Sequence, residues 1–409
     1  MDRPTACPMR QILFSLLCLL SFSSLPAQPA EVVGYLPYYR FSLVDQLDFS
    51  PLTHLNLAFL NPDSQGTWSF AGVDPASVIQ QARQEKPDLL VFASLAGGAL
   101  TAEWAAAWQQ GMQAGQRPAF IHSLLTYVTA HQLDGVDVDL EWSHVDDLYS
   151  PFVLELKDSL DARGLKMTAA LPATYRYPEI NGAALAAFER IHIMAYDKTG
   201  PWNPSQPGPH SPYSFAEQSI AYWLGQGVSS SRLTLGVPFY GYDFGSSPVQ
   251  AFTFGSMVAI DTTYAYLDQV GQAYYNGIPT IEAKALLARQ EVAGIMIWEL
   301  GQDALGPYER WSLLKHLSQS LTASLPAGTP TGLRAYPNPF AEGLHLARVG
   351  SQAPLPWVLI DAQGRQILRG QLPAGVESER IPTAGLPAGL YVLRWQLGPQ
   401  MAHQKLVKY

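Results

Sequence analysis

The chain has 409 residues, 47% of them hydrophobic and 14% charged, with a formal net charge of −9. That length allows one large domain plus a smaller one, or two to three ordinary ones, and the composition describes globular cores, not a disordered chain. No Lys/Arg cluster with interleaved aromatics occurs anywhere, so a nucleic-acid partner is not expected.

At the N-terminus, Arg3 and Arg10 are followed by the apolar run Ile12–Leu20 and then by small and polar residues up to Leu25-Pro26-Ala27. This order predicts a cleavable export signal over residues 1–27, cut near Ala27, with Met9 as an alternative start. The run is too short for a permanent membrane anchor, and Cys18 lacks the preceding small residues of a lipoprotein signal. Cys7 and Cys18 are the only cysteines. The exported chain is therefore expected to have no disulfide and no thiol chemistry, and to draw its stability from core size.

Apolar, β-rich runs then alternate with helical patterns. Strands are expected near Val32–Leu36, His54–Leu60, Leu89–Leu95, Gly135–Glu141, Lys166–Leu171, Arg190–Tyr196, Leu233–Phe239 and Ala293–Glu299. Helices are expected over Pro75–Glu85, Ala102–Gln113, Pro118–His131 and Pro151–Ala162, the last with Ser150 as N-cap, Pro151 at its first position and Gly164 beyond its end. Near-continuous apolar strands suit a parallel sheet covered on both faces. Eight β/α repeats predict an α/β fold of the closed (β/α)8 TIM-barrel type over residues 31–322. A doubly wound open sheet is the alternative, but its glycine-rich first turn is absent.

The fourth strand is the unusual one. In Leu133–Trp142 (LDGVDVDLEW), Asp137, Asp139 and Glu141 occupy alternate positions between Val136, Val138 and Leu140. On a strand this spacing sends the three carboxylates to one face and the aliphatics to the other. Unpaired buried charge is costly, so the row asks for a purpose. In a barrel, catalytic groups sit at the C-terminal ends of strands. Those ends carry Tyr35, Tyr38 and Tyr39 on the first strand, Phe59 on the second, Ser94 to Gly98 on the third, Met194, Tyr196 and Asp197 on the sixth, and Trp298-Glu299 on the eighth. Acids and aromatics at one rim suit a sugar, since rings stack on sugar faces while carboxylates act on the glycosidic oxygen.

These residues carry a family resemblance. Leu133–Glu141 resembles the D-G-x-D-x-D-x-E signature of family 18 glycoside hydrolases, the chitinase-like enzymes. Met194–Asp197 is similar to the family's M-x-Y-D element, Gly236–Gly241 (GVPFYG, which contains Tyr240) to its seventh strand, and Gly294–Glu299 (GIMIWE) to its eighth. The resemblance implies Glu141 as general acid, Asp139 as the group that orients the substrate's acetamido N–H, Asp137 as its support, and Tyr196 as a hydrogen-bond partner of the acetamido group. It further implies substrate contacts from Trp298, Tyr35, Phe59, Met194, Asp197 and Tyr240. The nucleophile would be the substrate's own acetamido oxygen, with retention of configuration and no cofactor. Two departures stand out. The family's third strand reads S-x-G-G, whereas Leu95 holds the serine position here unless Ser94 takes over. The short stretch between the seventh and eighth strands also leaves no room for the family's α+β insertion, which predicts an open groove.

Several neighbours carry plainer readings. Asp134, at an odd offset from the acidic row, is expected to be structural, and Trp104 and Trp108, four apart on a helix, to be packing. Trp298, Met194 and Phe59 could be barrel core, and Tyr196 and Asp197 a mutual hydrogen-bonded pair. The nine histidines form no H-x-H or H-E-x-x-H cluster, so no metal site is expected.

Beyond about Leu325 the character changes. A linker is expected over residues 323–332, and a small all-β immunoglobulin-like sandwich over residues 333–409, with strands at Trp357–Ile360, Gln366–Gly370, Leu390–Gln396 and Lys405–Tyr409 and a turn at Asp361–Arg365. Eight Lys/Arg against four Asp/Glu follow from Leu333, so this part sums to +4 and everything before it to −13. Tyr336–Phe340, Asp361–Arg365, Leu386–Tyr391 and the Lys-Leu-Val-Lys ending resemble the sorting domain of the type IX secretion pathway. That resemblance implies export through the periplasm and outer membrane, with release or tethering at the cell surface, and the secretion machinery as partner. The competing reading is a carbohydrate-binding or fibronectin-like module. Together the resemblances predict a secreted, monomeric chitinase acting on chitin or another N-acetylglucosamine-containing glycan. The alternatives are an endo-β-N-acetylglucosaminidase on N-glycans and a non-catalytic chitin-binding lectin.

Overall fold

Eight parallel strands close on themselves in the computed structural model, which describes residues 30–322, 332–336, 340, 343–349, 353–361, 364–376, 378–398 and 400–408. The strands are β1 (Glu31–Pro37), β2 (His54–Pro62), β3 (Leu90–Ala96), β4 (Gly135–Asp139), β5 (Lys166–Pro172), β6 (Arg190–Met194), β7 (Leu233–Pro238) and β8 (Gly294–Trp298). They pair in sequence, and β8 pairs back onto β1 to complete the barrel. The expected export signal, its alternative start and both cysteines lie outside the described residues.

The barrel follows from the strand pattern. Val136, Val138 and Leu140 point outward into the layer between sheet and helices and are essentially fully buried. There they join a cluster that includes Leu124, Val128, Phe152 and Leu156, from helices Arg117–Ala130 and Tyr149–Asp161. Each such side chain contributes roughly 1.5–3 kcal/mol of burial free energy. The inward face is thereby left to the polar residues of the acidic strand.

Two local expectations are corrected. The helix expected to start at Pro151 starts at Tyr149, and Ser150 is not its cap. The Ser150 hydroxyl instead donates to the Glu179 carbonyl at 2.5 Å and accepts from Asn181 N at 3.0 Å, a tertiary bridge that outcompetes capping. Gly164 does close the helix, at φ +69°.

The insertion between β7 and β8, which the short stretch was expected to leave out, is present, so the open groove expected from its absence does not follow. Segments Gln250–Thr253, Tyr240–Asp243, Ala273–Tyr274 and Gln269–Val270 form a four-stranded antiparallel sheet in that order, and Phe254–Ile260 is helical. Strands of two to four residues are too short to show alternation in sequence. Gly241 permits the sheet, because a Cβ there would lie 2.3 Å from the Tyr274 carbonyl oxygen.

The C-terminal region is a sandwich of a three-stranded and a four-stranded antiparallel sheet. Leu355–Asp361, Gln366–Leu372, Gly389–Leu397 and Gln400–Lys408 form the larger sheet, each longer than expected. The smaller sheet, Gly332–Tyr336, Gly343–Val349 and Ser378–Pro382, was not foreseen. The linker at 323–332 falls outside the described residues except for Gly332, as does Tyr409 at the end of the last expected strand. No helix among the described residues is long and apolar enough to cross a membrane.

Candidate active site

The site is built on the end of β4. The ladder stops at Asp139, but Glu141 stays extended (φ −128°, ψ 164°), so the alternation persists and Asp137, Asp139 and Glu141 form one inward row. Strand register decides what surrounds each of them. Asp137 lies opposite Ser94 on β3 and Thr168 on β5. Both hydroxyls donate to it, Ser94 at 2.8 Å and Thr168 at 2.7 Å, and the Tyr35 hydroxyl adds a third bond at 2.6 Å. Burial pushes the Asp137 carboxyl up, and the three donors oppose that shift. The position left uncertain by Leu95 is thus resolved. Ser94 turns inward onto Asp137 while Leu95 packs outward in the core, and the chain then leaves the strand through positive φ at Ala96 and Gly97.

Asp139 has the opposite surroundings. It is 3% exposed, and its Oδ1 has no hydrogen-bond partner. Burial, then the negative charges of Glu141 and Asp137, hold its carboxyl well above the usual range. Glu141, higher on the rim, is pushed up to about 7 by burial and by Asp197. Two adjacent carboxyls raised together share a proton rather than ionise independently. Gly98 makes room for the acid, since a Cβ there would come within 2.5 Å of Glu141 Oε1.

Beside the row lies a bed of rings. Trp298, at the end of β8, stacks on Phe59 with centroids 5.5 Å apart and planes at 20°, and tilts against Tyr35 at 5.6 Å. Met194 and Tyr196 complete this wall, and the Tyr196 hydroxyl reaches the Met296 sulfur at 3.9 Å. A cavity of about 360 Å³ opens above Trp298 and is lined in part by Tyr38, Tyr39 and Trp104. A second, of about 380 Å³, continues past Glu141 between Trp142, Tyr175 and Phe215. Both include Glu141, Tyr196 and Asp197, so the acid sits where the two halves of one cleft meet.

Asp197 takes a left-handed conformation (φ +58°) that turns its carboxylate back towards the small sheet. It accepts hydrogen bonds from the Tyr240 hydroxyl at 2.5 Å and the Tyr242 hydroxyl at 3.0 Å. Tyr196 and Asp197 are therefore not a mutual pair. Tyr240 is buried and acts on the cleft through Asp197 rather than lining it. Trp298, Phe59 and Met194 line the cleft and are not closed into the barrel core, and so does Trp104, which the helical spacing had assigned to packing. Trp108 does pack, at 1% exposure. Asp134 is structural, accepting from Val91 N at 2.8 Å and from Arg83 at 3.0 Å. Glu299 is fully buried away from the cleft and pairs with Arg40 at 3.1 Å, tying the end of β8 to the segment after β1.

Thr168, Tyr242, His192 and His210 were missed. For Thr168 and His192 the signal was cross-strand register, His192 lying opposite Thr234 and bonding its hydroxyl at 2.7 Å, whereas Tyr242 and His210 meet the site only through Asp197. Among the described residues, no group of three or more His, Cys, Asp or Glu side chains is placed to hold a metal ion.

Comparison with known proteins agrees with this geometry. Residues 31–303 match the glycosyl hydrolases family 18, and residues 334–409 match a secretion system C-terminal sorting domain. A GH18 chitinase from the chitin utilization locus of Flavobacterium johnsoniae is 45% identical, with TM-score 0.70, over 72% of this chain and 94% of that one. A chitinase from Bacteroides thetaiotaomicron is 25% identical, with TM-score 0.64, over 74% and 99%. An endochitinase from Manduca sexta is 27% identical over 161 residues, and the match spans 28% of its length.

Proposed function

The chain belongs to glycosyl hydrolase family 18, and on that premise we propose that it is a secreted chitinase that cleaves β-1,4 N-acetylglucosamine linkages by substrate-assisted, retaining catalysis. The observation that carries this reading is the contrast within the acidic row, a carboxyl raised to about 7 at the rim and a buried, partnerless oxygen beneath it. Glu141 holds a proton near neutral pH and gives it to the leaving glycosidic oxygen as the C1–O bond breaks. The acetamido carbonyl oxygen of the sugar over Trp298 closes onto C1, forming an oxazolinium ring. Asp139 accepts the acetamido N–H and stabilises the positive charge, while Tyr196 bonds the same group from the other side. Water then opens the ring from the leaving-group face, losing its proton to Glu141, so the anomeric configuration is retained. Asp137, fixed by three hydroxyls, supports Asp139 from below.

A cleft that continues on both sides of Glu141, with rings along each half, favours a linear polymer over a single branched core. The sorting-domain match supports export by the secretion machinery as the route to that substrate.

The test is hydrolysis of chitooligosaccharides alongside high-mannose glycopeptides. Glu141→Gln is expected to lower kcat roughly 10²–10⁴-fold, and undiminished turnover by that variant would overturn the mechanism. Cleavage of the glycopeptides alone would establish the endo-β-N-acetylglucosaminidase reading. Chitin binding by the unmodified protein without any cleavage would establish the lectin.

A further inference from the structure

Asp197 has a third neighbour that the mechanism above does not use. His210, 1% exposed, places Nδ1 3.5 Å from Asp197 Oδ1, and that nitrogen has no hydrogen-bond partner. Its other nitrogen, Nε2, lies 3.1 Å from the Tyr240 carbonyl oxygen. A carbonyl can only accept, so Nε2 must carry a hydrogen. In a neutral imidazole Nδ1 is then a bare lone pair, facing a carboxylate oxygen that already accepts from two tyrosines. A buried lone pair turned on a carboxylate oxygen is unfavourable even though the Asp197 side chain is 42% exposed, and one proton between them removes the conflict.

The geometry points to His210 as the source of that proton. We propose that His210 donates from Nδ1 to Asp197 as an imidazolium, and so sets how much negative charge Asp197 presents to Glu141. His210 is a positioning residue, acting on the acid only through Asp197. The proposal rests on Glu141 being the general acid and adds what limits its working pH.

The backbone around His210 is pinned, its carbonyl accepting from Lys198 N at 2.9 Å. Ser211 beside it donates to the Ala195 carbonyl at 2.6 Å, one residue before Tyr196. The buried Lys284 grips the Ser211 hydroxyl and carbonyl at 2.7 and 2.6 Å. The groups that face the ring are Asp197, Tyr240 at 4.9 Å and Tyr242 at 5.1 Å between centroids. Lys198 meets His210 only through its backbone N–H, its ammonium lying over Phe215, and Lys284 reaches it only through Ser211. Asp197 is therefore the one carboxylate that faces it among these groups.

The sign of the effect follows. An imidazolium offsets the charge of Asp197, and that charge is one of the two causes holding the proton on Glu141. Removing the imidazolium uncovers the charge, so Glu141 keeps its proton to higher pH. In the full chain, His210→Gln retains a donor for the Tyr240 carbonyl but no cation. It is expected to move the alkaline limb of kcat on chitooligosaccharides upward by roughly 0.5–1 pH unit. In an Asp197→Asn background the same change is expected to move nothing. An unmoved limb in the first case, or an equal shift in both, overturns the proposal, the latter by making His210 merely structural. His210→Asn, with a neutral donor in place of Nδ1, is expected to shift the limb in the same direction by less, and no shift counts against the proposal. Should neither variant fold, nitrogen-15 spectra of the unsubstituted protein at about pH 7.5 decide, roughly one unit above the ordinary titration point of histidine and within the range where Glu141 loses its proton. Both His210 ring nitrogens protonated supports the pair, and a bare Nδ1 overturns it. This spectrum stands even if Glu141→Gln retains activity, so failure of the general-acid assignment is distinguishable from failure of the pair.

Discussion

The barrel rim and the C-terminal sandwich use the same kinds of side chain in opposite ways. At the rim, Tyr39, Trp142 and Tyr175 are more than half exposed around the cleft, and Asp139 is buried with an oxygen that nothing satisfies. In the sandwich, Trp357, Trp395, Phe340 and Tyr391 all lie in the core, and the exposed large apolar residues among those described are the aliphatic Val376, Leu390 and Met401. Its buried acid, Asp361, is bound by the backbone N–H and guanidinium of Arg365 at 2.8 and 2.7 Å. One region keeps rings and carboxylates unspent for a ligand, while the other consumes them in its own fold. Stacking on a sugar face favours exposed rings, and Trp357 and Trp395, which line a depression of about 630 Å³ on the larger sheet, are only 6% and 1% exposed. The sorting-domain match needs no stacking platform.

The contrast is tested hardest at Asp139. If its unsatisfied oxygen waits for the substrate's acetamido group, Asp139→Asn should lower kcat/KM on chitooligosaccharides by roughly 10²–10³-fold, the usual cost of losing one preorganised electrostatic partner. The fold should be undisturbed by circular dichroism, because no internal hydrogen bond to Oδ1 is lost. An unfolded variant would mean that Asp139 is structural after all. Trp298 comes next. Trp298→Ala removes the ring proposed to lie beneath the reactive sugar, and a stacking surface worth about 1.5–3 kcal/mol corresponds to a loss of roughly 10- to 100-fold in kcat/KM. Trp357→Ala in the sandwich should instead lower the thermal stability of that region and leave kcat/KM alone.

The acid itself ties activity to stability. The Glu141 carboxyl rises from 4.5 to about 7 on folding. A group raised in the folded state gives stability that is complete below its ordinary value and is lost as pH rises through the folded one. At about pH 8 the native protein holds an unfavourable charge there, which Glu141→Gln removes. The variant should then melt at a higher temperature than the unsubstituted protein near pH 8, by about 1–3 kcal/mol in stability. The two should melt together near pH 4.5. A lower melting temperature at both values would show that Glu141 contributes packing and not stored electrostatic cost.

These two regions also differ in how far they could be read from residues alone. The barrel was legible because its strands are long apolar runs, and the acidic row because alternation on a strand sends Asp137, Asp139 and Glu141 to one face, which the surrounding apolar segments mark as a site rather than a solvated surface. What alternation cannot give is the partner across the sheet. Thr168 and His192 matter because of the strands beside them, and Tyr242 and His210 because a left-handed turn aims Asp197 at them. Trp104 misled for the same reason, since helical spacing shows which residues share a face but not what lies opposite. In the sandwich, Gly343–Val349 was missed although Leu344 and Leu346 alternate correctly and Asn338-Pro339 and Gly350-Ser351 frame it, because Gly343 and Ala347 are weak strand formers. Ser378–Pro382 offers a single buried residue, Ile381, to mark it.

The smallest effect expected concerns the contact between the two regions. Arg334, in the first sandwich strand, donates to the Tyr213 hydroxyl at 2.8 Å and to Gln290 at 3.0 Å, and Tyr336 tilts against Tyr213 at 5.9 Å. Neither Tyr213 nor Gln290 lines the cleft. Bonds of this kind at a partly exposed seam are each worth about 0.5–1.5 kcal/mol. Arg334→Ala should therefore lower barrel stability by less than about 1 kcal/mol, and removal of residues 333–409 should leave kcat/KM on soluble chitooligosaccharides within about twofold. The same truncation should abolish export from the native host, with the protein retained in cell fractions. A truncated barrel that stays active on oligosaccharides but loses activity on insoluble chitin would instead give the sandwich a hold on the polymer. Its exposed aliphatic residues, and not its buried rings, would then have to supply that hold.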